Sequence, residues 1–284
     1  MSDTPATFAA LGLSPALQRA ARELGFETPT PVQAAAIPAA LAGRDVLASA
    51  QTGSGKTVAF AFPVLQQVEG QNVRAREGSP RAPQVLVLVP TRELAAQAGA
   101  LLRAAARCLA VSVKVSILYG GVSINPQLMA LRGGADIVVA TPGRLLDVVE
   151  HNGLSLAALR CLVLDEADRL LDAGFAEELA RVLALLPAQR QTLLFSATFP
   201  AAVQALSEQL LKDPLRVEIG QDLTLDTEEG ERKLTERAIA VDAARRTPLL
   251  RQLIEQEQWP RVLVFVATRY ACDHVADKLR RAGL

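Results

Sequence analysis

A chain of 284 residues that is half hydrophobic has enough apolar surface for a sizeable core, which excludes an intrinsically disordered protein. Its 30 basic and 30 acidic residues balance, so no net charge draws it to a polyanion and any nucleic-acid site has to be a local patch. Three scattered cysteines (Cys108, Cys161, Cys272) and two histidines (His151, His274) exclude a disulfide framework and lack metal-ligand spacing; Cys161, inside an apolar run, reads as a small buried hydrophobe.

In chain order, Met1–Ala10 shows no basic stretch followed by an apolar core, and no apolar run approaches the ~18 residues that span a bilayer. A soluble, cytoplasmic protein without membrane contact is expected. A strand over Asp45–Ser49 leads into Ala50–Gln51–Thr52–Gly53–Ser54–Gly55–Lys56–Thr57, which opens a helix. Gly53 and Gly55 let backbone N–H groups turn onto phosphate oxygens in front of a helix N-terminus. Lys56 can reach the terminal phosphates, and the Thr57 hydroxyl can ligate Mg²⁺. Ala50 stands where the strict pattern has glycine, so it must keep a negative φ. ATP with Mg²⁺ is the implied cofactor, and a bare glycine turn with an incidental Lys-Thr is the bland alternative.

Gln71–Pro83, with Arg74, Arg76 and Arg81, reads as an exposed loop and a solvated connector. Strands follow at Gln84–Val89, Lys114–Leu118, Ile137–Ala140, Cys161–Leu164 and Thr192–Phe195, separated by helical stretches such as Thr91–Leu109. That alternation predicts an α/β fold, a parallel sheet with helices on both faces. Asp165–Glu166–Ala167–Asp168 follows the Cys161–Leu164 strand, at the carboxyl end where such sheets bind ligands. Asp165 suits Mg²⁺, partly through water, and Glu166 suits a base for the attacking water. An acidic first helical turn would explain the same residues, and the phosphate loop upstream favours the metal site.

Residues 220–235 are polar and read as a linker between a first domain, 1–219, and the start of a second, 236–284. The second begins with strands at Arg237–Val241 and Arg261–Val266, a helix near Thr247–Glu257 and another from Tyr270. Two strands and two helices cannot cover Val262–Val266, so this piece is expected to be an incomplete domain. It should either lack order or self-associate through an unpaired edge.

The combination resembles the DEAD-box ATP-dependent RNA helicases of superfamily 2, whose name Asp165–Asp168 spells. The resemblance implies a RecA-like P-loop fold followed by a partial second RecA-like domain. Gly25–Phe26–Glu27–Thr28–Pro29–Thr30–Pro31–Val32–Gln33 is similar to the adenine-recognition (Q) motif, with Phe8 upstream. By resemblance Gln33 hydrogen-bonds the adenine edge and Phe8 packs on its ring, with Phe26 and Thr28 in the same motif; by itself Phe8 reads as a helix staple. Thr91–Arg92, Gly120–Gly121 and Thr141–Pro142–Gly143–Arg144 resemble the family's RNA-backbone motifs, and Ser196–Ala197–Thr198 the one that couples the sites through Asp168. Taken singly these are N-caps, a turn and a surface cation.

The resemblance implies RNA-dependent ATP hydrolysis, clamping of single-stranded RNA and local unwinding of short duplexes, with weak sequence preference and strong salt sensitivity. The family's later motifs, including those that bring arginines to the γ-phosphate, have no counterpart here, so weak hydrolysis is expected of the 284 residues. A non-catalytic, nucleotide-dependent RNA scaffold and a DNA-directed helicase or translocase are the competing readings.

Overall fold

The structure, a computed structural model, describes residues 7–51, 53–72, 81–172, 174–219 and 237–284. Seven strands form one sheet: β1 (Val46–Ala50), β2 (Val85–Leu88), β3 (Val115–Leu118), β4 (Ile137–Ala140), β5 (Cys161–Leu164), β6 (Gln191–Ser196) and β7 (Leu215–Ile219). Their order is β3-β4-β2-β5-β6-β1-β7 and every pairing is parallel. The central strands β2, β4 and β5 are buried at every position, which is why their sequences are unbroken apolar runs rather than alternating ones.

Side chains of period two feed two separate cores. Val85 and Val87 of β2 and Cys161 and Val163 of β5 point into one; Leu86, Leu88, Leu162 and Leu164 point into the other. The first core is closed by α1 (Pro15–Glu23), α2 (Pro31–Leu41), α3 (Lys56–Asn72) and α4 (Arg92–Ala106). The second face carries α6 (Pro142–Glu150), α7 (Ala167–Leu171), α8 (Ala176–Ala184) and α9 (Ala201–Leu210), with the short α5 (Asn125–Ala130) beside them. Cys161 is one of the core residues, and burial pushes its thiol up to about 12.

Because all strands run the same way, their carboxyl ends share one edge of the sheet. Only β6 separates β1 from β5, so the residues that follow those two strands start about 10 Å apart. At the opposite, amino edge the buried Asp45 carboxylate accepts from Thr192 N and Lys212 N, both at 2.7 Å, and so ties the starts of β1 and β6 to the approach to β7.

Two sequence expectations are corrected. The strand β7 was not among the expected ones: of its residues only Val217 is buried, because an edge strand has one neighbour and little apolar signal. The predicted strands Arg237–Val241 and Arg261–Val266 are not strands; neither enters a ladder among the described residues. A ladder needs a neighbouring strand, and here Leu263 and Phe265 stand 79% and 88% exposed.

The chain divides into two compact units, residues 1–223 and 224–284. Among the described residues of the second, α10 (Arg246–Glu257) and α11 (Arg269–Arg281) are the α-helices, and Arg237 pairs with Glu257 at 2.6 Å. The expected linker, 220–235, lies outside the described residues. Among the described residues no helix is long and apolar enough to cross a membrane.

Candidate nucleotide-binding site

Ala50 ends β1 without a positive φ, so the departure from glycine at that position is sterically free. The chain then turns through Gly53 (φ 87°) and Gly55 (φ 94°) into α3. Gly55 is required twice over: besides its φ, a Cβ there would lie 2.3 Å from Gln33 Nε2. Lys56 is buried and its Nζ donates to the Ala50 carbonyl at 2.7 Å, curling back over the loop. Thr57 follows in the first turn of α3, half-buried; Gln51 is exposed and Thr52 lies outside the described residues.

These residues fit a bound nucleotide phosphate. The Ser54 hydroxyl oxygen is buried without a hydrogen-bond partner among the described residues, and buried polar atoms in folded proteins are otherwise nearly always satisfied. Thr30 Oγ1 stands 3.0 Å from the place a Gly55 Cβ would take, so it borders the glycine turn with Ser54. The sequence marks Thr30 only as part of the Gly25–Gln33 motif; the structure makes it the N-cap of α2, in a capping box with Gln33.

Gln33, 2% exposed, bridges the two parts of the site. Its Oε1 accepts from Thr30 N at 3.0 Å and its Nε2 donates to Gly55 O at 3.1 Å. The amide retains one N–H and one lone pair for a base edge. Phe26 is half-buried, edge-on to Phe62 with centroids 6.3 Å apart, and Thr28 is exposed. Phe8 is 5% exposed and packs edge-on to Phe62 of α3 at 5.9 Å as part of the first core.

On the same sheet edge β5 delivers Asp165 and Glu166, both buried. Burial raises the Asp165 carboxyl to about 6; the Lys56 charge pulls it down and Glu166 pushes it further up. Glu166 sits in the left-handed region at φ 53°, a conformation disfavoured by about 1–2 kcal/mol for a residue with a Cβ. Its carboxylate pairs with Arg169 at 2.7 Å.

Asp168, Ser196 and Thr198 meet as a cluster. The Asp168 carboxylate accepts from Thr198 N at 3.0 Å and Thr198 Oγ1 at 2.8 Å, while Asp168 N donates to Ser196 Oγ at 3.2 Å. Burial pushes the Asp168 carboxyl up, and the bonds from Thr198 and Ser196 outweigh it and hold it below its ordinary value.

The remaining residues spread along the same edge. Thr91 caps α4, accepting from Leu94 N at 3.3 Å, and Arg92 pairs with Glu93 at 2.5 Å, both side chains exposed. Gly121 (φ 79°) lies beside Arg92, whose Nη1 is 3.9 Å from its Cβ position, and Gly120 precedes it. Thr141 is the buried N-cap of α6. Arg144 is not the surface cation of the plain sequence reading: it is 8% exposed, and its Nη2 donates to Val122 O at 2.7 Å, fastening α6 to the Gly120–Gly121 loop.

A glycine-lined phosphate loop and an acidic pair on one edge of an all-parallel, doubly covered sheet define a RecA-like P-loop nucleotide-binding protein. Within that class, residues 30–206 match the DEAD/DEAH box helicase family, and the chain belongs to it. The chain is 41% identical over 283 residues to the ATP-dependent RNA helicase DeaD of Escherichia coli (strain K12), all of this chain and 43% of that protein. It is 40% identical to DeaD of Buchnera aphidicola subsp. Schizaphis graminum (100% and 45%) and 41% identical to DeaD of Mycobacterium tuberculosis (strain H37Rv) (98% and 46%). The chain thus spans less than half the length of these curated relatives.

Proposed function

We propose that these residues form the nucleotide-binding part of an ATP-dependent RNA helicase, which uses ATP and Mg²⁺ to hold single-stranded RNA by its backbone and open short duplexes. One observation carries the reading: the phosphate loop with buried Lys56 and the buried Asp165 follow β1 and β5, two parallel strands with only β6 between them, so both stand on one edge of the sheet. Gly53, Ser54 and Gly55 would cradle the phosphates, with Lys56 reaching the terminal ones, and Thr57 and Asp165 would hold the metal, partly through water. Bound Mg²⁺ would supply charge neutralisation at the transferring phosphoryl group. Glu166 accepts a proton from the attacking water once Arg169 releases it. Gln33 reads the adenine edge, with Phe26 and Thr28 beside it.

Thr91, Arg92, Gly120, Gly121 and Thr141 offer N–H, hydroxyl and guanidinium groups to RNA phosphates, and Arg144 contributes by holding the Gly120–Gly121 loop. The Asp168–Ser196–Thr198 cluster links the acidic pair to the turn after β6 and so couples nucleotide to RNA. Hydrolysis by the 284 residues is slow, because the family motifs that bring arginines to the γ-phosphate have no counterpart among them, and such an arginine is worth ~10³–10⁵ in rate. Cytoplasmic work suits the free thiols of Cys108 and Cys272. Exposed Leu263, Phe265 and Tyr270 are proposed to mediate self-association, which a monomer in sedimentation at micromolar concentration would refute.

The direct test titrates a fluorescent ADP with Mg²⁺ against the chain and Lys56→Ala. The variant should bind about 100-fold more weakly, the ~3 kcal/mol expected for charge-assisted contacts to phosphate. Equal binding by the two proteins sinks the proposal. ATP-analogue affinity measured with RNA and with DNA of the same sequence then separates an RNA helicase from a DNA-directed one.

A further inference from the structure

At the amino edge of the sheet, away from the nucleotide loop, a groove of about 710 Å³ is lined by Arg81, Arg103, Arg107 and Lys114 and, among the described residues, by no acidic one. The chain as a whole is neutral, so four cations around one groove are a marked local excess. The nearby acids are engaged. Asp136 is buried and accepts from Arg81 Nη1 at 3.0 Å and Lys114 N at 2.7 Å, and Glu69 accepts from Ala110 N at 3.2 Å.

The cations are held in place rather than scattered. Arg103 donates from Nε and Nη2 to the Val115 carbonyl at 3.1 and 3.0 Å, and Lys114 Nζ donates to Arg132 O at 2.8 Å. The exposed Arg107 guanidinium has no partner among the described residues. Basic residues at the last turn of α4 would complement its dipole, which accounts for Arg103 and Arg107. It does not account for Arg81 and Lys114, which come from the opposite wall.

We infer that this groove is a second RNA-binding site, one that takes the phosphodiester backbone independently of ATP. Arg107 presents the planar fork that matches phosphate oxygens, and Arg81, Arg103 and Lys114, fixed by their own bonds, add positive charge around it. Among the described residues no aromatic side chain lines the groove, so they offer neither a platform for stacked bases nor the anchor pocket that a protein partner needs. Contacts restricted to the backbone make it indifferent to sequence. The 15-residue α4 runs from the Thr91–Arg92 end to this groove, so the two RNA surfaces lie about 22 Å apart along that helix. The groove would hold the flank of an RNA whose centre engages the carboxyl edge. Its preference for a polyanion stands on the groove alone; the choice of RNA rests on the proposed function.

The test is fluorescence anisotropy with a labelled oligouridylate and the whole chain in the absence of nucleotide, comparing Arg107→Glu and Arg107→Glu with Lys114→Gln. With each variant affinity should fall, about tenfold for the double change, and the slope of log affinity against log salt should flatten by about 1 per lost phosphate contact. Fluorescent-ADP binding should be unchanged, which shows that both variants are folded. Three results would overturn the inference: unchanged affinity and salt slope in both variants, oligouridylate binding that requires an ATP analogue, or displacement of the RNA by polyglutamate at equal charge. If Arg107→Glu has no effect while Arg92→Ala abolishes binding, the groove fails and the RNA reading of the carboxyl edge survives.

Discussion

At the amino edge of the sheet, Asp45 is clamped by two backbone amides at 2.7 Å, and Asp136 by Lys114 N and the Arg81 guanidinium. At the carboxyl edge, Asp165 accepts from Glu166 N alone among the described residues, at 3.0 Å, and its carboxyl is raised to about 6. Glu166 beside it is held in the left-handed region, and the buried Ser54 hydroxyl has no partner among the described residues. Both edges bury carboxylates, yet Asp45 and Asp136 each accept from two groups, whereas Asp165 accepts from one among the described residues. A buried charge that the chain satisfies itself stabilises the fold, whereas one left under-satisfied stores free energy that a ligand can release.

The comparison breaks most severely if the amino-edge clamp turns out to be dispensable. Asp45→Ala removes the acceptor of two buried amides from different segments and should lower stability by about 4 kcal/mol in urea unfolding followed by circular dichroism. A loss within ~0.5 kcal/mol, the range of an ordinary surface change, would erase the distinction between the edges.

The next effect is a dependence on pH. The folded Asp165 carboxyl titrates above its unfolded value. Its contribution to stability is therefore fully present below a pH of about 4 and is lost as pH rises through about 6, a difference on the order of 3 kcal/mol. Without nucleotide and Mg²⁺, Asp165→Asn should remove this decline between pH 4 and 7 and be the more stable protein at pH 7. Parallel stability-against-pH curves for the two proteins would show that the carboxyl edge stores nothing at Asp165.

The smallest effect concerns Glu166. Asparagine tolerates the left-handed region better than glutamine does. Glu166→Asn should then exceed Glu166→Gln in stability by about 0.5 kcal/mol. The reverse ranking would mean that the backbone strain at φ 53° is not relieved there.

Much of the site was legible because it is local in sequence. The run Gly53–Ser54–Gly55–Lys56–Thr57 needs only a strand before it and a helix after it to form an anion cradle, and the structure provides both. Asp165 and Glu166 were readable from the apolar run that precedes them. Burial of individual side chains was not. Phe8 and Arg144 are exposed or buried according to what Phe62 and Val122 bring from elsewhere in the chain, and no spacing encodes that. The apolar run Val262–Val266 has the composition of β5, but β5 lies between β2 and β6 and the later run enters no ladder among the described residues. Hydrophobic composition permits a strand; a hydrogen-bonding neighbour makes one.

The amino-acid sequence alone determined the chemistry of the carboxyl edge, because the phosphate loop and the acidic pair are each contiguous and their backbone requirements are met within a few residues. Tertiary structure decided which charges stand unsatisfied, that Gln33 reaches Gly55, and that Arg81, Arg103, Arg107 and Lys114 share one groove. Those properties depend on which distant segments the parallel sheet brings side by side, and strand order is set by packing of the two cores rather than by any local pattern.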